Sequence, residues 1–182
     1  MKKIIMLAVL LVTMVTMNPS LSYADSNTSE ENEEAGILVP IINSKGKEIG
    51  SAKLTEQGDK VILHVVAKEL PTGVHGIHFH NVGKCDTPDF KTAGDHYNPH
   101  QKQHGFNNPK GFHSGDLPNI EVGSDGTVDT SIESSNVTLQ RGKPNSLLKE
   151  GGVAIIIHEK ADDYVTDPSG NSGARIACAF IK

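Results

Sequence analysis

Residues 76–116 read GIHFHNVGKCDTPDFKTAGDHYNPHQKQHGFNNPKGFHSGD. The opening IHFH alternates apolar and imidazole side chains at the period of a β-strand, in which residues two apart share a face. His78 and His80 therefore point one way, and Ile77 and Phe79 point the other. Beyond Asn81 the alternation stops, and a long run rich in Gly, Pro, Asn and Lys follows. Six of the nine histidines lie in this stretch, with Asp116 closing it and Cys85 inside it. His158 waits downstream at the end of an apolar run, AIIIHEKADD. Histidine fills a core poorly, and imidazole is the commonest metal ligand. The stretch reads as a strand leading into a metal-binding loop.

The flanking sequence repeats the strand signal. Residues 37–42, 48–54, 61–67, 74–81, 117–122, 127–133, 153–158 and 174–181 are short, β-branched or alternating segments. Turns such as Ser44-Lys45-Gly46, Gln57-Gly58-Asp59 and Ser124-Asp125-Gly126 separate them, and 117–122 is expected to form a hairpin with 127–133. Eight such strands and no helix predict an all-β, antiparallel sandwich or barrel. Two connections, 83–115 and 159–173, far exceed hairpin length, and long loops in a compact domain are usually functional.

Composition bears on the compartment. A basic head at Lys2 and Lys3, an apolar run over 4–15 and the small-residue exit Ser22-Tyr23-Ala24 have the order of a secretory signal, too short to span a membrane. Cleavage after Ala24 is expected, and no nearby cysteine offers a lipid anchor. Export places the protein outside the cell, in contact with the envelope or free of it. Removing Lys2 and Lys3 takes the net charge from −5 to −7, and five acidic residues lie in 25–34. That Ser/Asn/Glu-rich segment reads as a solvated, disordered tether, leaving 35–182 as one domain of ordinary size. Two cysteines in an exported domain, Cys85 and Cys178, form one disulfide. It closes a loop of roughly 93 residues, for which chain entropy assigns about 4–5 kcal/mol.

The remaining candidates sort by chemistry. His96, His104, His113 and Asp116 supply three nitrogens and one carboxylate oxygen, a closed four-coordinate zinc shell that is structural in kind. His78, His80 and His158 remain, three imidazoles without a carboxylate, and all-nitrogen coordination suits Cu(II). His96 can supply the fourth nitrogen if its two ring nitrogens serve different metals. His75 reads as a structural histidine, and His64 and His100 as residues outside the site.

These residues resemble the exported bacterial Cu/Zn superoxide dismutases over nearly all of 35–182. The matching motifs are HGIHFH at 75–80, AGDHYNP at 93–99, HG at 104–105, HSGDLP at 113–118, HEKADD at 158–163 and GARIAC at 173–178. The resemblance implies an eight-stranded Greek-key barrel, with copper on His78, His80, His96 and His158 and zinc on His96, His104, His113 and Asp116. It implies dismutation of superoxide, with His96 opening from copper on reduction and taking a proton. It also implies that Arg175 guides the substrate anion and that Asp162 bonds one ligand of each metal, His78 and His104. Lys160 is expected to join Arg175 in the attracting field.

The chain departs from the family at Ile77, where an aromatic is frequent, at Tyr97, where phenylalanine is usual, and at Ala179-Phe180, where Gly-Val is usual. The last bears on subunit packing and leaves a homodimer open. A rival reading is an exported metal-sequestering module without turnover, but such a module could lose a copper ligand or Arg175, and both are present. No basic patch supports nucleic-acid binding.

Overall fold

The computed structural model describes residues 36–182. The expected signal over 1–24 and tether over 25–34 lie outside the described residues. Nine strands follow in order: β1 Ile37–Asn43, β2 Glu48–Gln57, β3 Lys60–Ala67, β4 Gly73–His75, β5 Ile77–His80, β6 Ile120–Val122, β7 Val128–Ser134, β8 Val153–His158 and β9 Arg175–Ile181. Among the described residues there is no α-helix, and a single 3-10 turn covers Lys91–Ala93.

Seven strands form one curled antiparallel sheet in the order β5-β8-β9-β1-β2-β3-β7, and β4 pairs with β6 as a separate ribbon. β9 lies beside β1, and β7 beside β3, with each pair distant in sequence. These crossovers give the all-β Greek-key barrel architecture that the sequence implied. Alternation builds the inside: Val61, Leu63 and Val65 of β3 face inward against Leu54, Ile132, Ile155 and Ile157. Each fully buried aliphatic side chain contributes about 1.5–3 kcal/mol.

Three expectations change. The single strand over 74–81 breaks at Gly76, where Gly76 N donates to Lys160 O and His158 N donates to Gly76 O. The chain thereby leaves one sheet for the other: β4 pairs with β6, and β5 with β8. The hairpin between 117–122 and 127–133 does not form. Its turn is present, with Gly123 N donating to Thr127 O at 2.9 Å, but β6 pairs with β4 while β7 pairs with β3. Finally, a third long connection, 135–152, joins β7 to β8, anchored by the buried Val137 and Leu147.

Cys85 and Cys178 form the disulfide, with Cα atoms 5.8 Å apart. It ties the long histidine loop to β9 and packs with Phe90, Ala93 and Ile156 in a second small core.

Candidate metal centre

β5 has β8 on one edge, and the histidine loop returns to cover the other. Phe79 N donates to Gly115 O at 2.9 Å, Tyr97 N donates to Phe79 O at 2.7 Å, and Asn81 N donates to Asp95 O at 2.8 Å. This closes the exposed edge and sets His96 across from His80 and Asp116 across from His78. All four residues of β5 are therefore buried. Ile77 and Phe79 join the main core, while His78 and His80 lie under the loops.

Two ligand groups result, each with its atoms within 4.8 Å of one another: His78, His80, His96 and His158, and His96, His104, His113 and Asp116. In the first, His78 Nδ1 and the Nε2 atoms of His80, His96 and His158 are buried without a hydrogen-bond partner. Four converging imidazole nitrogens left unsatisfied in a protein interior call for a cation. The other nitrogens of the rings are engaged: His80 Nδ1 lies 2.9 Å from Gly94 O, and His78 Nε2 lies 2.7 Å from Asp162 Oδ2. In the second group, Asp116 Oδ1 lies 3.0 Å from both His96 Nδ1 and His104 Nδ1 and 3.2 Å from His113 Nδ1. Asp116 Oδ2 accepts from the backbone N–H groups of Gly105 and His113. The two nitrogens of His96 thus face different groups.

Asp162 spans the pair. Its Oδ1 lies 3.0 Å from His104 Nε2 and accepts from Tyr164 N, while Oδ2 takes His78. Gly170 makes room for it. Its φ of +63° is left-handed, and a Cβ there would run into the Asp162 carboxylate.

Electrostatics separate the groups. Burial lowers the pKa of His78 and takes His80 well below the ordinary imidazole value. Burial also takes His96 to about 3 and His158 to about 2. All four rings are neutral at pH 7 and present lone pairs. For His104, burial opposes the charge, but Asp116 and Asp162 outweigh it and raise the ring to about 9. Asp116 is likewise held far below the carboxylate range by His104, His113 and His96, despite its burial. A cation at the second group would replace the His104 proton.

The first group opens into a cleft of about 960 Å³ lined by His80, His96, His158 and Arg175. Arg175 Nη1 donates to Phe90 O at 2.8 Å and Nη2 to Gly94 O at 2.7 Å. Gly94 has φ +74° and ψ −156°, a conformation open to glycine. Its carbonyl thus meets both His80 and Arg175.

Lys160 is exposed and does not itself line this cleft, but its Cγ packs beside Gly173, which does; the lysines that line it are Lys102 and Lys149. The turn after His158 holds it there, with Lys160 N donating to Ser172 O. His75 is buried between two carbonyls, His158 O and Pro71 O, each 2.8 Å from a ring nitrogen. His64 pairs with Asp129 on the outer sheet face, and His100 is exposed.

The Copper/zinc superoxide dismutase (SODC) family profile matches residues 48–181. "Superoxide dismutase [Cu-Zn] 1" of Aquifex aeolicus is 48% identical over 143 residues, covering 78% of this chain and 85% of that one. A SOD-like protein from Bacillus subtilis has a crystal structure with a TM-score of 0.79 and 46% identity, covering 81% of this chain and 100% of that one. The Cu/Zn superoxide dismutase from Brucella abortus has a TM-score of 0.66 at 26% identity, over 81% and 100% of the two chains. The chain belongs to the copper/zinc superoxide dismutase family.

Proposed function

We propose that His78, His80, His96 and His158 hold copper, that His96, His104, His113 and Asp116 hold zinc, and that the protein dismutates superoxide. The observation that carries this is the set of four partnerless ring nitrogens, one of them on a ring whose other nitrogen faces Asp116. Copper supplies a one-electron cycle, by which one superoxide is oxidised to dioxygen and a second, with two protons, is reduced to hydrogen peroxide. The protein's own groups do the rest. His96 keeps Nδ1 toward Asp116 and can carry a proton on Nε2 to the leaving peroxide. Asp162 and Gly94 O hold His78 and His80 in the tautomers that leave His78 Nδ1 and His80 Nε2 free. Arg175 presents its guanidinium to the small anion, with its rotamer locked by Phe90 O and Gly94 O, and offsets its charge.

We also assign the chain to the cell exterior, with the leader removed after Ala24. The basic-apolar-small order of the leader and the Cys85–Cys178 disulfide support this. Mass spectrometry of exported protein starting elsewhere than Asp25 would refute the cleavage site.

The functional test compares dismutation by protein loaded with zinc alone and with zinc plus copper. Activity confined to the copper-loaded form is expected. Silence in both, with both metals bound, would favour metal sequestration instead.

A further inference from the structure

The connection 135–152 has no regular structure of its own, yet it reaches the metal cleft, where Pro144 and Lys149 form part of the wall. Gly83 N donates to Gly151 O at one end of it, and near its middle a single buried side chain links it to the metal-binding strand. Tyr97 is 3% exposed, and its hydroxyl lies 3.0 Å from Pro144 O and 3.0 Å from Ser146 O. One phenolic proton is shared between these two carbonyls. At its other end Tyr97 follows His96 and is bonded through its backbone to Phe79 O and Gly115 N. A stiff path therefore runs from β5 through the ring to Ser146, three residues before Lys149.

Lys149 is half-buried and in no ion pair among the described residues; its Nζ donates to Glu150 O at 3.3 Å. Arg175, Lys102, Asp95 and Asp167 share the cleft with it; Arg175 feels the Asp95 charge, and Asp167 already accepts His104 N. The Lys149 charge is thus open to an anion in the cleft. Phenylalanine at 97 would fill the same space without holding the two carbonyls.

We propose that Lys149 is a further anion-guiding residue of this cleft and that Tyr97 is a positioning residue that helps to hold it there. The inference rests on the dismutase reading above. A unit charge about 10 Å from a monovalent anion in water changes its local concentration about twofold. Lys149→Ala should therefore lower kcat/KM about twofold and Lys149→Glu about fourfold at low ionic strength. Both effects should vanish once the screening length falls to a few ångströms, at roughly 1 M salt. Tyr97→Phe should show the same salt-sensitive loss, with no added loss in the Lys149→Ala background.

The test is pulse radiolysis of the copper- and zinc-loaded protein and these variants across ionic strength, with metal content measured for each. Active wild type with unmoved Lys149→Ala and Lys149→Glu variants would overturn the role of Lys149 alone. An inactive wild type would overturn the dismutase reading and this role with it. A Tyr97→Phe loss that ignores salt, or persists undiminished in the Lys149→Ala background, would overturn the positioning role.

Discussion

Replacing Asp162 with asparagine keeps the volume and removes the charge, and the structure says which metal suffers more. Three N–H groups converge on the carboxylate: His104 Nε2 at 3.0 Å and Tyr164 N at 2.6 Å on Oδ1, and His78 Nε2 at 2.7 Å on Oδ2. An amide offers one oxygen, which best serves the place that accepts two donors. Its NH2 then takes the Oδ2 place and confronts His78 Nε2. To relieve that clash, His78 must move its proton to Nδ1, the atom left free for copper. Losing one charge-assisted hydrogen bond costs about 1.5–3 kcal/mol, and outer-sphere partners of this kind are worth about 10–100-fold in metal affinity. The expected result is a fall in copper affinity of about 10–100-fold, with zinc affinity reduced less, because His104 keeps its acceptor. Competition titration of zinc-loaded protein against a copper chelator, and of metal-free protein against a zinc chelator, measures both. Copper affinity within twofold of wild type, or zinc lost more than copper, would refute this account of Asp162.

Arg175→Ala should lower kcat/KM about tenfold or more at low ionic strength while metal content stays intact, since steering and orientation by such a charge are worth at least that much. Unchanged low-salt activity would contradict it. The Cys85→Ser/Cys178→Ser variant should lose about 4–5 kcal/mol in denaturant unfolding for its 93-residue separation, and also activity, because the loop holding Arg175 is released; an unmoved midpoint would be the contrary result. In metal-free protein His104 is raised from 6.5 to about 9. Its contribution, up to about 3 kcal/mol, is full below pH 6.5 and is lost as pH rises through 9. His96 and His158, lowered by burial to about 3 and about 2, act oppositely: their contribution is present above 6.5 and lost as pH falls. Stability of the metal-free form should therefore peak near neutrality, which thermal unfolding from pH 4 to 10 checks, and a flat profile would contradict both assignments.

The candidate ligands were legible because their chemistry is local. His78 and His80 alternate with Ile77 and Phe79, and three histidines with Asp116 fill a zinc shell by donor type alone. Pairing was less legible. The alternation over 74–81 continues through Gly76, so nothing in the periodicity reports that β4 and β5 join different sheets. The turn at 123–126 is plain in the sequence, but which strand β6 then meets depends on the approach of β4 from 45 residues upstream. The electrostatics of the cleft depend on loop placement too. Lys160 follows His158 closely in sequence yet does not line the cleft, whereas Lys149 arrives along the connection 135–152, which itself holds no candidate ligand. Asp162 and Arg175 came from family resemblance; alone, each would pass for an ordinary surface charge.

The Gly94 carbonyl receives both His80 Nδ1 and Arg175 Nη2, on a loop rooted by the disulfide. Orientation of a proposed copper ligand and of the proposed anion guide are thereby tied to one oxygen. A shift of that oxygen loosens both at once, leaving Arg175 only its bond to Phe90 O. Damage to this loop should switch the protein off in one step, a safeguard for a redox-active copper centre in which a half-working state would be the hazardous one.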